Sequence, residues 1–296
     1  MRVYVVAFSL FFLTSCAPKP ESVLDQAEVV AKNASVRMKN SPTSRTLTTL
    51  APGDRVEVLE RQGNWLRIRY RDDVQGWMEE STVLTSSTKK RIQDLVAASQ
   101  NDAPQNTAVL REDANFRIEP GRSTPIIRKL DRATKVEVLG RVTLPRPGAE
   151  SAHDAWIKVR PSPSEVGWIL ASLVDFDIPE LVSPYSEEYI YTAVQKINTV
   201  QDPLAGPIGW YVVGERKSSA DPQIDFQGIR VFTWNMSKHR YETAFRARMR
   251  GVYPLEVGRE GANPTFRVYE LAEDGSTRIP HDYVMYGVIV RAKKIS

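Results

Sequence analysis

The sequence is poor in the side chains that most catalytic and metal centres use. Its 296 residues include one cysteine, Cys16, and three histidines. A cysteine nucleophile and an internal disulfide are both excluded for the folded part, because Cys16 falls at the end of an apolar leader. The histidines at 153, 239 and 281 are not spaced four apart as zinc ligands on a helix are, and no phosphate-binding loop or EF-hand loop occurs. We therefore expect no enzyme, no metal and no cofactor.

A strong excess of one charge is also missing. Forty Lys and Arg residues stand against 36 Asp and Glu, which gives a formal net charge of +4. A nucleic-acid-binding chain of this size would carry a much larger positive charge, so we expect no nucleic-acid partner. The leading apolar stretch, over residues 3–13, is too short for a permanent membrane span.

The first sixteen residues nevertheless differ from the rest. A positively charged start and the apolar stretch precede the motif LTSC, which ends at Cys16 and resembles the lipobox of bacterial lipoproteins. The resemblance implies a signal peptide over 1–15 and a diacylglycerol on the Cys16 thiol that anchors the chain to the membrane. Ala17, where some lipoproteins carry Asp, implies an outer-membrane protein facing the periplasm. An ordinary secretory signal with an incidental cysteine is the alternative.

An internal repeat is the strongest pattern in the chain. The segment WLRIRYRDDVQGW, from Trp65 to Trp77, returns as WIKVRPSPSEVGW from Trp156 to Trp168. In both copies, apolar and basic residues alternate after the first tryptophan, and a turn-rich segment precedes Gly-Trp. This pattern predicts a strand, a turn and a second strand in each copy.

The alignment of the copies extends upstream. Leu50 matches Leu130 at an offset of 80, whereas Trp65 matches Trp156 at an offset of 91, so the second copy contains extra residues between them. We expect the extra residues to lengthen a hairpin loop over 141–154.

The shared order resembles the bacterial SH3 domain. It consists of an apolar-Arg pair near a Pro, then Leu-x-x-Gly-Asp-x-Val-x-Val-Leu, Trp-x-x-Val/Ile-Arg and Gly-Trp; the second copy departs from it at Ala133-Thr134, which replace Gly53-Asp54. The resemblance implies a small, strongly bent β-barrel. Members of the family are typically appended to cell-wall enzymes or envelope proteins, and many bind peptidoglycan or other proteins.

The remaining regions complete a mainly β prediction: two small SH3-like β-barrels followed by a β-sandwich or half-barrel domain with one helix. Helical spacing of apolar residues predicts a short helix over 88–100, between the copies, and a second over 186–198, opened by Ser186. Alternating strand-like runs fill the rest of the C-terminal region. The expected boundaries are a signal peptide over 1–15, a tether over 16–26, module 1 over 27–86, a helical linker over 87–106, module 2 over 107–176 and a C-terminal β-rich domain over 177–296.

The tryptophans of the repeat are the first candidates for ligand contact, because an indole offers a flat apolar face to sugars or proline rings. The candidates are Trp65, Trp77, Trp156, Trp168 and the neighbouring Tyr70. The alternative is a place in the core, which a barrel of about sixty residues needs for its large side chains, and we favour it for Trp65 and Trp156. A proline-peptide groove lined by several aromatics is disfavoured, since Tyr70 and Phe116 are nearly the only other aromatic residues in the two copies.

A second candidate is the triplet Arg246, Arg248 and Arg250. A spacing of two on a strand places all three on one face, where they could bind a carboxylate or phosphate together with residues 238–240 across a hairpin. The alternative is a solvated face paired with Glu242.

Together these patterns favour a non-catalytic envelope lipoprotein that binds cell-wall peptidoglycan or an envelope protein through tandem SH3-like modules. The alternative is a structural or assembly lipoprotein whose modules pack against its own C-terminal domain and mediate protein contacts without binding glycan. An enzyme in the C-terminal region is the third hypothesis: His281-Asp282 could orient a serine, but the chain has no Gly-x-Ser-x-Gly motif.

Overall fold

The computed structural model describes residues 21–71 and 74–293. The chain divides into two compact units, residues 1–79 and 80–296. The predicted signal peptide and Cys16 lie outside the described residues. Within the described part of the chain, no helix has the length and apolar character needed to cross a membrane.

The first unit is an antiparallel sheet built from short strands. They are β1 (Asp25–Val29), β2 (Ala34–Arg37), β3 (Thr46–Leu50), β4 (Arg55–Gln62), β5 (Trp65–Tyr70) and β6 (Val74–Glu79). Their order in the sheet is β3-β2-β6-β5-β4-β1. The predicted hairpin of the repeat is confirmed, with Arg67 opposite Trp77. Leu66 and Ile68 on alternate positions of β5 are fully buried, so this strand has one face in the core and one facing outward.

The second unit begins with a short 3-10 helix (Glu80–Thr82), β7 (Val83–Thr85) and the helix α1 (Ser86–Ala98). The predicted helix between the copies is thus confirmed, two residues earlier than expected. Thr85 caps it, because its hydroxyl accepts the backbone N–H of Thr88. Arg160 holds the other end by donating to the carbonyl of Ser99 at 2.6 Å.

Module 2 follows the helix. Its strands are β8 (Asn106–Leu110), β9 (Ala114–Arg117), β10 (Ile126–Leu130), β11 (Lys135–Arg146), β12 (Ala149–Ser162), β13 (Glu165–Leu170) and β14 (Val174–Phe176), with a 3-10 turn over Ala171–Leu173. Their order is β10-β9-β13-β12-β11-β8-β14. The first six repeat the order of module 1 with every number raised by seven, which confirms the predicted SH3-like sheets. The core contains Phe116, Val138, Ile157, Val159 and Ile169.

The extra residues of module 2 do not form the predicted long loop. Strands β11 and β12 remain paired from Glu137 opposite Arg160 to Pro145 opposite His153. The insertion therefore extends β11 and β12 into a two-stranded ribbon. The outer edge of each ribbon strand needs no backbone N–H donor, so a proline is tolerated there.

The C-terminal region is a seven-stranded antiparallel meander. Its strands are β15 (Ile190–Asp202), β16 (Gly206–Arg216), β17 (Phe226–Asn235), β18 (Arg240–Glu260), β19 (Asn263–Leu271), β20 (Arg278–Tyr286) and β21 (Ile289–Ala292), which lie in chain order. This half-barrel sheet confirms the mainly β prediction. Its core is rich in aromatic residues, with Trp234 packed edge-on against Tyr241 and Phe266 stacked on Tyr283.

The predicted helix over 186–198 is wrong. A 3-10 turn (Ser183–Tyr185) is followed directly by β15. Tyr191, Thr192 and Ala193 are all buried, because both faces of this strand are covered. A strand that is covered on both faces does not show the alternation of a half-exposed strand. Its sequence therefore resembles that of a buried helix segment.

Module 2 and the C-terminal sheet are joined by backbone hydrogen bonds at Gln105. Its N–H donates to the carbonyl of Val138 at 2.7 Å, and its carbonyl accepts from the N–H of Val194 at 2.8 Å. Beside it, the side-chain amide of Asn106 donates to the carbonyl of Tyr191 at 3.0 Å. These bonds place the two sheets in one unit.

An arginine of the ribbon strengthens this junction. Arg141 is buried and lies 3.8 Å from the carboxylate of Asp225, and it donates to the carbonyls of Pro222 at 3.2 Å and Ile224 at 3.0 Å. The extra length of β11 thus carries a cation into the C-terminal sheet, where several buried acceptors compensate for its lost hydration.

Candidate functional site

The Gly-Trp pair of each copy marks a place where two strands approach too closely for any side chain but hydrogen. A Cβ atom on Gly76 would lie 2.7 Å from the carbonyl oxygen of Arg37, and one on Gly167 would lie 2.6 Å from that of Arg117. The glycine allows the barrel to close, and the tryptophan that follows must then face outward.

Trp77 is therefore a surface residue with a defined setting. It lies opposite Arg37 on β2 and opposite Arg67 on β5, and its side chain is half-buried. In module 2, Trp168 has the same setting between Arg117 and Lys158. The structure thus places both second tryptophans of the repeat on an outer face flanked by cations.

The arginine of the apolar-Arg pair braces a neighbouring loop. Arg37 donates from Nη1 to the carbonyl of Ser44 at 2.9 Å, and Arg117 donates to the carbonyl of Thr124, again seven residues further on. The repeat of this bond explains why arginine recurs in both copies. Sequence reasoning identified the pair but not its role.

The first tryptophans of the repeat differ between the copies. Trp65 shares the outward face of β5 with Arg67 and is half-buried. Trp156 lies on the same face of β12, opposite the core residues Ile157 and Val159, yet only 2% of it is exposed. Its partner across the ladder, Val142, belongs to the part of β11 next to the insertion. An aromatic surface that is accessible in module 1 is therefore covered in module 2.

Tyr70 supports a turn in module 1. Its hydroxyl donates to Oδ1 of Asp54 at 3.1 Å, while Oδ2 of Asp54 accepts the N–H of Ala51 at 2.9 Å. Gly53 in this turn has a φ of 92°, a conformation that glycine adopts without steric cost. The ring of Tyr70 is also covered by Arg71, 4.9 Å from its centroid.

The arginine triplet does not act as one group. Arg246 pairs with Glu215 at 3.0 Å and Arg250 with Asp221 at 2.7 Å. The guanidinium of Arg248, which is exposed, forms no ion pair or hydrogen bond with any residue that the structure describes. Glu242, the expected partner, binds other cations, Lys238 at 3.1 Å and Arg240 at 3.5 Å.

His239 does not join this basic group either. Its Nδ1 lies 2.8 Å from Oδ2 of Asp202, which also accepts the indole N–H of Trp234 at 2.6 Å. Burial acts to raise the pKa of Asp202, but these bonds and two backbone N–H groups outweigh it and hold that pKa well below its usual range. Sequence reasoning missed this cluster, because Asp202 lies far from the hairpin in sequence.

The third hypothesis, an enzyme, requires a serine beside His281, and the described side-chain hydrogen bond of His281 is with a carboxylate instead. Its Nε2 lies 2.9 Å from Glu270, whereas the adjacent Asp282 pairs with Arg267 at 2.7 Å on the other face of the strand. Within residues 21–71 and 74–293, no group of three or more His, Cys, Asp or Glu side chains is placed to hold a metal ion.

Part of the chain, mostly in module 1, is similar to a known domain family. Residues 32–83 match the family model described as the bacterial SH3 domain. No curated protein matches the chain.

Solved structures give only remote likenesses. The structure of NlpC1 from Trichomonas vaginalis is 10% identical, covers 79% of this chain and 92% of its own, and has a TM-score of 0.21. The structure of NlpC2 from the same organism is 11% identical, covers 76% of this chain and 93% of its own, and has a TM-score of 0.20. Scores of this size carry no inference about the fold or activity of this chain.

Proposed function

We propose that the chain is a non-catalytic lipoprotein of the cell envelope, anchored through Cys16 to the outer membrane and facing the periplasm, and that module 1 binds peptidoglycan. The observation that carries the proposal is the bacterial SH3 match at residues 32–83, together with two half-buried tryptophans, Trp65 and Trp77, on outward faces of that module. The same strand order supports an SH3-type origin for module 2.

The contacts of module 1 favour stacking over charge as the means of binding. The guanidinium of Arg37 is engaged with the carbonyl of Ser44, and that of Arg67 with Glu60 at 3.0 Å. Both cations beside Trp77 are thus occupied within the module, and the flat face of the indole is what remains for a ligand. The sugar rings of a glycan strand present apolar C–H faces that pack on such a surface.

Co-sedimentation of residues 17–296 with purified peptidoglycan sacculi, at low and at physiological salt, tests this proposal. We expect binding that persists at physiological salt, because stacking is screened far less than ion pairing. Trp77→Ala should abolish it while the circular dichroism spectrum is retained, whereas Trp168→Ala, the matched change in module 2, should reduce it less. Absence of binding at either salt would exclude the cell-wall proposal.

A second candidate function applies to module 2. Its Trp156 is buried, and its sheet is bonded to the C-terminal sheet through Gln105, which favours a scaffold that contacts an envelope protein without binding glycan. Cross-linking in intact cells tests it: a protein adduct from the surface of module 2 that survives Trp77→Ala supports this role, and adducts confined to module 1 contradict it.

A further inference from the structure

The C-terminal sheet contains a cleft of about 600 Å³ whose charged lining residues are mostly basic. Lys217, Arg246 and Arg248 contribute three cations against one carboxylate, that of Glu215. All residues that line this cleft belong to the second unit, so the cleft is separate from module 1.

The cleft lies over three neighbouring strands, β16, β17 and β18, and their register determines which side chains line it. Glu215 on β16 lies opposite Gly228 on β17, and Gly228 lies opposite Arg248 on β18. A Cβ atom on Gly228 would lie 2.8 Å from the carbonyl oxygen of Ala247, so no larger residue fits there without rearrangement. Gly228 thus contributes no side chain between Glu215 and Arg248, which are separated by two strand spacings, or about 10 Å.

Arg246 is held in position before any ligand arrives. Its Nε donates to Oε2 of Glu215 at 3.0 Å, and its guanidinium carbon lies 5.1 Å from the ring centroid of Tyr189. Glu215 itself is only 2% exposed, which makes it a fixed support rather than a mobile surface acid. A cation whose orientation is set in advance loses little entropy when it binds an anion.

The charge of Glu215 is only partly engaged, and it does not neutralise the cleft. Its Oε1 is buried without a hydrogen-bond donor among the described residues, and Arg230 lies 3.8 Å from it. Burial raises the pKa of Glu215, while Arg246 and Arg230 act against this shift.

Arg248 supplies the unpaired donor. Lys217 is already bonded to Glu188, but the guanidinium of Arg248 is exposed and has no partner among the described residues. Two guanidinium groups on one face of β18, one oriented and one unpaired, present several parallel N–H donors to the same space.

We propose that this cleft binds a small carboxylate anion, such as the carboxyl-terminal end of a peptide, through Arg246 and Arg248. The planar guanidinium fork matches a carboxylate in two-point geometry. The choice of a peptide carboxylate over phosphate rests on the size of the cleft, about 600 Å³, which the end of a peptide fills and a phosphate ion does not. The cleft accommodates the last one or two residues of a peptide, at about 3.5 Å each.

The test is calorimetric titration of the full-length chain in detergent with the dipeptide alanyl-alanine. Three probes separate the alternatives: the dipeptide, its carboxyl-amidated form and inorganic phosphate. We expect the dipeptide to bind and the amide to bind at least about tenfold more weakly, which is the effect of losing one charge-assisted hydrogen bond. Phosphate should also bind more weakly than the dipeptide, because it leaves most of the cleft unfilled.

Arg248→Gln should weaken dipeptide binding by about tenfold or more. Arg240→Gln, an exposed arginine on the same strand outside the cleft, is the matched control and should leave binding unchanged. Equal binding of the amide, or of phosphate, overturns the proposal. So does an Arg248→Gln variant that binds like the wild type, or a wild type that takes up no dipeptide at millimolar concentration.

Discussion

Gln105 and Leu255 lie 150 residues apart in the chain, and the side-chain oxygen of Gln105 accepts the backbone N–H of Leu255 at 2.6 Å. Because the backbone of Gln105 already bonds to β11 on one side and β15 on the other, a single residue connects three strands. Only 1% of Gln105 is exposed, so water cannot easily replace it.

Gln105→Ala should therefore destabilise the second unit by about 1 to 3 kcal/mol, because it leaves the buried N–H of Leu255 without an acceptor. Urea unfolding followed by circular dichroism measures the change. Gln100→Ala, at an exposed position after α1, is the control and should stay within about 0.5 kcal/mol of the wild type. Equal stability of the two variants would contradict the connecting role of Gln105.

Gly167→Ala should cost about 1 to 3 kcal/mol, since the added methyl group would meet the carbonyl of Arg117 at 2.6 Å. Gly140→Ala is the matched change in the same module, because its Cβ would lie 3.7 Å from the nearest atom, the Cβ of Lys158. Denaturant unfolding of both variants should show a loss only for Gly167→Ala. If both were tolerated, close strand approach would not be the reason for the Gly-Trp motif.

Replacing the first tryptophan should affect the two modules differently. Trp156→Ala removes a fully covered side chain and should destabilise the second unit by about 3 to 5 kcal/mol. Trp65→Ala removes a half-exposed one and should cost the first unit clearly less. Thermal unfolding monitored by far-ultraviolet circular dichroism, which does not depend on indole fluorescence, compares them. A loss in Trp65→Ala as large as that in Trp156→Ala would show that Trp65 is covered as fully as its counterpart.

Acid should weaken the second unit through Asp202, whose pKa in the folded chain is lowered. Above its unfolded pKa of about 3.9 the carboxylate is ionised in both states and its contribution is complete. As the pH falls further, the unfolded chain takes up the proton first, and stability is lost until the folded pKa is passed. Urea midpoints measured from about pH 6 to pH 2 should fall less steeply for Asp202→Asn than for the wild type.

The control for the acid experiment is Asp131→Asn, at an exposed position in a turn, which should retain the wild-type slope. If Asp202→Asn retains it as well, the bonds from Trp234 and His239 do not stabilise the ionised carboxylate.

The repeat was sufficient to predict the folds of both modules, because alternation and the Gly-Trp pair reflect local geometry. The ribbon of module 2 was missed for a different reason. Pro145 and Pro147 suggested a loop, but Pro145 lies in β11, opposite His153. Whether a proline in such a segment disrupts a sheet depends on its strand neighbours, which a local pattern does not reveal.

The C-terminal sheet was predictable in class but not in detail. The run over 283–292 has the pattern of one strand, but it forms a hairpin that turns at Gly287, where φ is 58°. The arginine triplet does lie on one strand, as predicted. However, Arg246 and Arg248 line a cleft while Arg250 pairs with Asp221, and this difference depends on β16 and the loop after it. Such long-range partners are set by tertiary packing, so a spacing of two could not separate them.

The bonds at Gln105 also bear on how this chain could be dissected in the laboratory. A graft of residues 107–176 into a chimaera would leave behind Gln105, Asn106 and the partners of Arg141, so module 2 would lose the hydrogen bonds that join it to the C-terminal sheet. Residues 21–79 form a compact unit of their own. Two modules with the same strand order therefore differ in their dependence on the C-terminal sheet, because module 2 would lose buried hydrogen bonds on being cut away from it.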